Sequence, residues 1–120
     1  MTNRALIEEI YINDGLRNRN FLKKVLHKDV LLEWNNSNGL KIMNREDLLN
    51  FADELKLNFV HSKVSITHLI EDNNTFCVKY NYQISPIENP SEIISVAKIV
   101  VIWEFKNNKL IKGYQLSYPS

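Results

Sequence analysis

Catalysis and metal binding need titratable, nucleophilic or ligating side chains at workable spacing, and this chain offers few. Its histidines are His27, His61 and His68. His61 and His68 stand an odd number of residues apart, so on one continuous strand they point to opposite faces. No CxxC, HExxH or clustered carboxylate set accompanies them, and no metal site is expected. Gly15, Gly39 and Gly113 are the only glycines, so neither a GxGxxG or Walker-type phosphate loop nor a GxSxG elbow can be written. No cofactor is implied. Cys77, between Phe76 and Val78, has nothing local to lower its pKa and reads as a small packed residue. Lys98 and Glu104 fall on the strand face opposite Trp103 and read as surface or interface polarity.

What remains is a set of aromatic side chains on strand-like segments. Period two brings Phe76, Val78, Tyr80 and Tyr82 to one face, and a turn at Asn73-Asn74 sets Leu69 and Thr67 beside them. If Asn107-Asn108 is a two-residue turn, Trp103 lies opposite Lys112, Val101 opposite Tyr114, and Ala97 opposite Tyr118. The first strand adds Trp34. Buried tyrosine and tryptophan need partners for their O–H and N–H groups. One reading is an apolar pocket with a few hydroxyl donors, lined by Trp34, Tyr80, Tyr82, Trp103, Tyr114 and Tyr118, which suits a flat or hydrophobic small molecule. The other is a packed core whose hydroxyls reach backbone groups or an interface. Register decides between faces, since a slip of one residue reverses them all.

These strands need elements to hold them. Leu6, Ile7, Ile10 and Tyr11 recur at helical spacing and stop at Asp14-Gly15. Phe21, Leu22, Val25 and Leu26 form a second short stripe that ends around His27-Lys28-Asp29. Val30 to Trp34 reads as a strand, followed by the turn-rich Asn35 to Gly39. Asn44 then caps a third helix with Glu46 and Asp47 in its first turn and a stripe of Leu48, Phe51, Ala52 and Leu55. Afterwards the period is two: strands over Val64–Ile70, Thr75–Ile84, Ile93–Phe105 and Leu110–Tyr118. Helices followed by hairpin-connected strands predict an α+β domain, with three N-terminal helices packed on one face of an antiparallel sheet. Ile93–Trp103 is apolar on both faces, so both are expected to be covered. The helices take one, and a second copy of the chain, meeting Ile94, Val100 and Ile102, is the expected cover of the other.

Bulk properties exclude several classes. With 120 residues and no linker or repeat, a single domain over 1–120 is expected. Fifteen Lys and Arg against fourteen Asp and Glu leave no field for polyanions, so neither nucleic acid nor an acidic membrane surface is an expected partner. The longest apolar run, Ile99 to Trp103, is far short of the roughly 20 residues a membrane helix needs. One cysteine and an N-terminus without a signal-peptide pattern lead to an expected cytoplasmic location.

Three stretches together resemble the nuclear transport factor 2-like superfamily, a resemblance that spans nearly the whole chain: "FLKKVLHKDVLLEW" (Phe21–Trp34), Gly39–Leu55 with "NREDLLNFADEL", and "VVIWEFKNNKLIKGYQLSYP" (Val100–Pro119). The resemblance implies a cone in which the helices close a strongly curved antiparallel sheet, the cystatin-like fold. It also implies a choice between ligand binding and cofactor-independent isomerase, cyclase or dehydratase chemistry on a small hydrophobic substrate. Similarity to ketosteroid isomerase would put a general-base Asp on the first strand, where this chain has Trp34, with Glu33 on the other face. SnoaL-like polyketide cyclases use Asp and His inside the cone, where the last strand here reads Gln115-Leu116-Ser117-Tyr118. Acid–base chemistry would therefore require His61, His68 or a glutamate inside the cone. A small-molecule-binding homodimer is the leading expectation.

Overall fold

The computed structural model describes residues 1–119, without the side chain of Val60. Three helices and a six-stranded sheet follow one another in the expected order. Helix α1 (Asn3–Tyr11) is capped by the Thr2 hydroxyl, which accepts from Ala5 N at 3.1 Å. Asp14 then turns the chain in the left-handed region at φ 66°. Asn18 caps α2 (Arg19–Val25), accepting from Phe21 N at 3.1 Å. Strand β1 (Leu26–Asn36) begins directly at the end of α2, earlier than Val30, and hairpins into β2 (Gly39–Met43). Helix α3 (Arg45–Asn58) carries a full capping box: Asn44 Oδ1 accepts from Asp47 N at 2.9 Å, and Asp47 Oδ2 accepts from Asn44 N at 3.0 Å. Leu49, Ala52 and Leu55 bury its inner face, while Leu48 and Phe51 are only half-buried.

The sheet order is β2-β1-β6-β5-β4-β3, with β3 (Phe59–Asp72), β4 (Thr75–Pro86), β5 (Ile94–Lys106) and β6 (Lys109–Pro119). It is antiparallel at every pair except β1–β6, which run parallel. Cross-strand partners share a face, so the register sorts the side chains into rows. One inner row runs Met43, Leu32, Gly113, Trp103, Phe76, and the outer row beside it runs Ile42, Glu33, Tyr114, Ile102, Cys77, Ile70. The inner face and the helices enclose the core. At its narrow end Phe76, Val78, Val101 and Leu110 are at most 1% exposed, and the Phe76 and Phe105 rings meet at 5.5 Å.

Register shifts correct three expectations. The Asn107-Asn108 turn is present, both residues left-handed at φ 53° and 61°, and Phe105 pairs with Leu110. One step later the register slips, so Trp103 faces Gly113 rather than Lys112, and Tyr114 faces Ile102. Tyr114 and Tyr118 therefore stand on the outer face, 40% and 59% exposed. A second slip, between Ile66 and His68, displaces Thr67 from Tyr80, which pairs with Ile66, and brings His61 and His68 to the same outer face. A third, between Tyr82 and Gln83, pairs Ile94 with the inner residue Ile84, so Ile94 leaves the outer surface where it was expected. A bulge adds one residue to one strand and reverses every face beyond it.

Two contacts hold the frame together. A polar knot ties the α1–α2 connection to β3. Asp14 accepts from Arg17 Nη2 at 2.7 Å and from the Ser62 hydroxyl at 2.6 Å, while Arg17 Nη1 donates to Phe59 O at 2.6 Å. Burial alone would raise the Asp14 pKa, but the Arg17 and Ser62 hydrogen bonds outweigh it and hold the carboxyl below its usual 3.8. A depressed folded pKa contributes stability above the unfolded value, and that contribution is lost as pH falls through the folded one. Urea unfolding should therefore find Asp14→Asn less stable than the parent at neutral pH, with the gap narrowing once the pH drops below 3.8. A gap that stays constant into acid would contradict this. The other contact is at Gly113, where a Cβ would come within 2.6 Å of both Leu32 Cδ1 and Trp103 Cζ3. Gly113→Ala should cost about 1–3 kcal/mol in the same assay by overpacking.

Candidate functional site

The inner face is not filled to its wide end. A cavity of about 390 Å³ lies between α3, the α1–α2 connection and the concave sheet, within the range of roughly 300–1,000 Å³ usual for small-molecule sites. Along β4 the inward residues change from Phe76 and Val78, which belong to the packed end, to Tyr80, Tyr82 and Ile84, which line the cavity. Helix α3 supplies Leu48, Phe51, Leu55 and, towards its C-terminus, the exposed Glu54 and Asn58, so the cavity reaches solvent there.

Of the six aromatics read from the sequence, Trp34, Tyr80, Tyr82 and Trp103 line this cavity together. Tyr114 and Tyr118 do not, for the register reason given above. Four lining residues with polar ends were not anticipated: Tyr11, Gln115 and, at the mouth, Glu54 and Asn58. Tyr11, read only as part of a helical stripe, closes the deep end, and Gln115 takes the inward place that Tyr114 was expected to hold. Tyr11 could have been singled out as the one residue of its stripe with a polar tip.

The polar atoms of the wall differ in how far they are satisfied. Trp103 Nε1 donates to the Tyr11 hydroxyl at 2.7 Å, both residues being at most 5% exposed. Trp34 Nε1 donates to Ser117 Oγ at 2.7 Å, and its ring meets Phe51 edge-on at 5.6 Å. The Tyr80 ring meets the Tyr11 ring at a tilt, centroids 5.0 Å apart, yet among the described residues nothing hydrogen-bonds its hydroxyl, although the residue as a whole is only 3% exposed. The Tyr82 hydroxyl is itself buried and unsatisfied. Ser62 lies close enough to lower its pKa in part, but donates its own proton to Asp14. Burial is the largest influence on all three phenols and raises each pKa, so they are neutral donors and not bases at physiological pH. His61 and His68 are exposed and outside the lining, which leaves Glu54 as the one carboxylate among the described lining residues. Among the described residues no group of three or more His, Cys, Asp or Glu side chains is placed to hold a metal ion, and no helix is long and apolar enough to cross a membrane.

No protein family profile matches the sequence, and no curated protein matches it. Solved structures do. IdmH from Streptomyces antibioticus, a proposed polyketide cyclase, superimposes with a TM-score of 0.75 at 8% identity, over 98% of this chain and 92% of that one. An NTF2-like protein of unknown function from Burkholderia pseudomallei K96243 gives 0.67 at 16% identity, over 94% and 88%. Another, from Cytophaga hutchinsonii ATCC 33406, gives 0.66 at 15%, over 98% and 90%. Order of elements, sheet topology and these superpositions agree: the chain has the nuclear transport factor 2-like cone fold.

Proposed function

We propose that this chain binds a small, largely apolar molecule that presents an oxygen acceptor to the deep end of the cavity. The observation that carries the reading is the pair of Tyr80 and Tyr82 hydroxyls on an apolar cavity wall: neither has a hydrogen-bond partner among the described residues, and that of Tyr82 is fully buried. A buried donor left unpaired costs about 1–3 kcal/mol, which a ligand carbonyl or ether oxygen would recover. The cyclase or isomerase alternative has weaker support. It needs a base near the reacting carbon; both histidines lie outside, the phenols are held protonated, and the one carboxylate among the described lining residues, Glu54, is exposed at the mouth. Calorimetric titration with 2-acetylnaphthalene and with 2-isopropenylnaphthalene, its alkene counterpart, should show the ketone binding about tenfold tighter. Tyr80→Phe should abolish that preference while keeping the alkene's affinity. Failure of both compounds to bind, or a preference that survives Tyr80→Phe, would overturn the reading.

The outer sheet face supports a second part of the proposal, that two copies pair through it. Ile102, Tyr114 and Leu116, at 38%, 40% and 61% exposure, form an apolar band across β5 and β6, and contiguous patches of this kind usually mark interfaces. Val100 pairs with Leu116 within it. Ile102→Lys should convert the protein to a monomer in sedimentation velocity, with its thermal unfolding still cooperative. A parent that sediments as a monomer would refute the pairing.

A further inference from the structure

We propose that Glu54 makes the cavity mouth selective for ligands that carry a basic amine; this rests on the reading of the cavity as a ligand site. Helix α3 has four acidic residues, Glu46, Asp47, Asp53 and Glu54. Three have structural tasks. Asp47 closes the capping box, and Arg19 takes both Asp53, at 2.8 Å, and Glu46, at 3.4 Å. Glu54 makes no ion pair among the described residues, although the helix carries basic residues of its own. It is also the acid of the four that lines the cavity.

The surroundings of that carboxylate suit a cation with an apolar body. Phe51 and Asn58 lie three residues before and four after Glu54, the spacings that share one face of a helix. Phe51 and Asn58 line the cavity with it, and the Trp34 ring packs against Phe51. An ammonium group seated there would meet a carboxylate, a side-chain amide and neighbouring aromatic rings, the combination that recognises alkylammonium ligands. Arg17, which holds Asp14 and Phe59 O, is not among the described residues that line the cavity. An acidic ligand group would meet an unshielded negative charge at the same place.

The test compares naphthalen-2-ylmethanamine, naphthalen-2-ylmethanol and 2-naphthoate, which share a ring system and differ in the charge at one end. Calorimetry on the intact chain at low ionic strength should rank the amine about fivefold tighter than the alcohol, in keeping with a partly exposed ion pair, with the acid weakest. Glu54→Gln should bring the amine down to the alcohol's affinity and leave the alcohol unchanged, and added salt should do the same to the parent. Equal binding of amine and alcohol to the parent, or a preference that persists in Glu54→Gln, would overturn the assignment to Glu54 and leave the cavity reading standing. Failure of all three compounds to bind would overturn both.

Discussion

Placing one large indole organises this molecule. Trp103 must bury a bulky ring and find an acceptor for its N–H, and it does both at one point. Across the strand pair it faces Gly113, where the absence of a side chain gives the ring room. Above the sheet its N–H reaches the Tyr11 hydroxyl on α1 at 2.7 Å. The first contact sets the β5–β6 register, and the second ties the N-terminal helix to the middle of the sheet. The Tyr11 ring then meets that of Tyr80, so the deep wall is fixed by three aromatic residues from three elements. A packing solution of this kind tolerates little change in volume.

Everything beyond that point follows from the sheet having two different ends. Towards Phe105 the rows meet in apolar contact and close. Towards Ala97 the inward side chains become tyrosines, and the Asp14–Arg17–Ser62 knot and the Phe51–Trp34 ring contact are among the links from the helical layer to the sheet. The polar knot acts as a strut: it holds the α1–α2 connection at a distance with charged hydrogen bonds instead of collapsing it onto the sheet. An apolar side chain at Asp14 could not satisfy Arg17, and a buried guanidinium without its carboxylate is costly. The open volume is thus maintained by the wall around it.

Much of this was legible in the residues, and what was not has one cause. Helix positions could be read because caps and stripes are local: Asn44 with Asp47, and Leu6 with Ile10, report on their own neighbourhood. The turn at Asn107-Asn108 was legible for the same reason, since Asn tolerates the left-handed backbone. Face assignment was not, because it propagates. A bulge has no signature in Leu110-Ile111-Lys112, yet it moves Tyr114 and Tyr118 out of the cavity and brings Gln115 in. Four of the six aromatics held their place: Tyr80, Tyr82 and Trp103 keep their faces because the extra residues of the slips beside them, Thr67 and Ile111, sit on the partner strands β3 and β6, and Trp34 follows β1. Thr67 and Ile94 moved because they lie at or beyond one.

The same slips tie the two faces of the sheet together. With the simple hairpin register, Tyr114 would crowd the space above Val101, and Gly113 would lie on the outer face with no ring to receive. The added residue at Ile111 exchanges them, placing the smallest side chain under Trp103 and a large amphipathic one outside beside Ile102. Lys112, 5.3 Å from the Tyr114 ring and 3.3 Å from Glu33, then completes an outer surface on which charged side chains flank the apolar band. Interior room and exterior stickiness are therefore one decision, made at a single bulge. A change that straightened it would fill the cavity and strip the outer band at once, because neither face can be re-registered without the other.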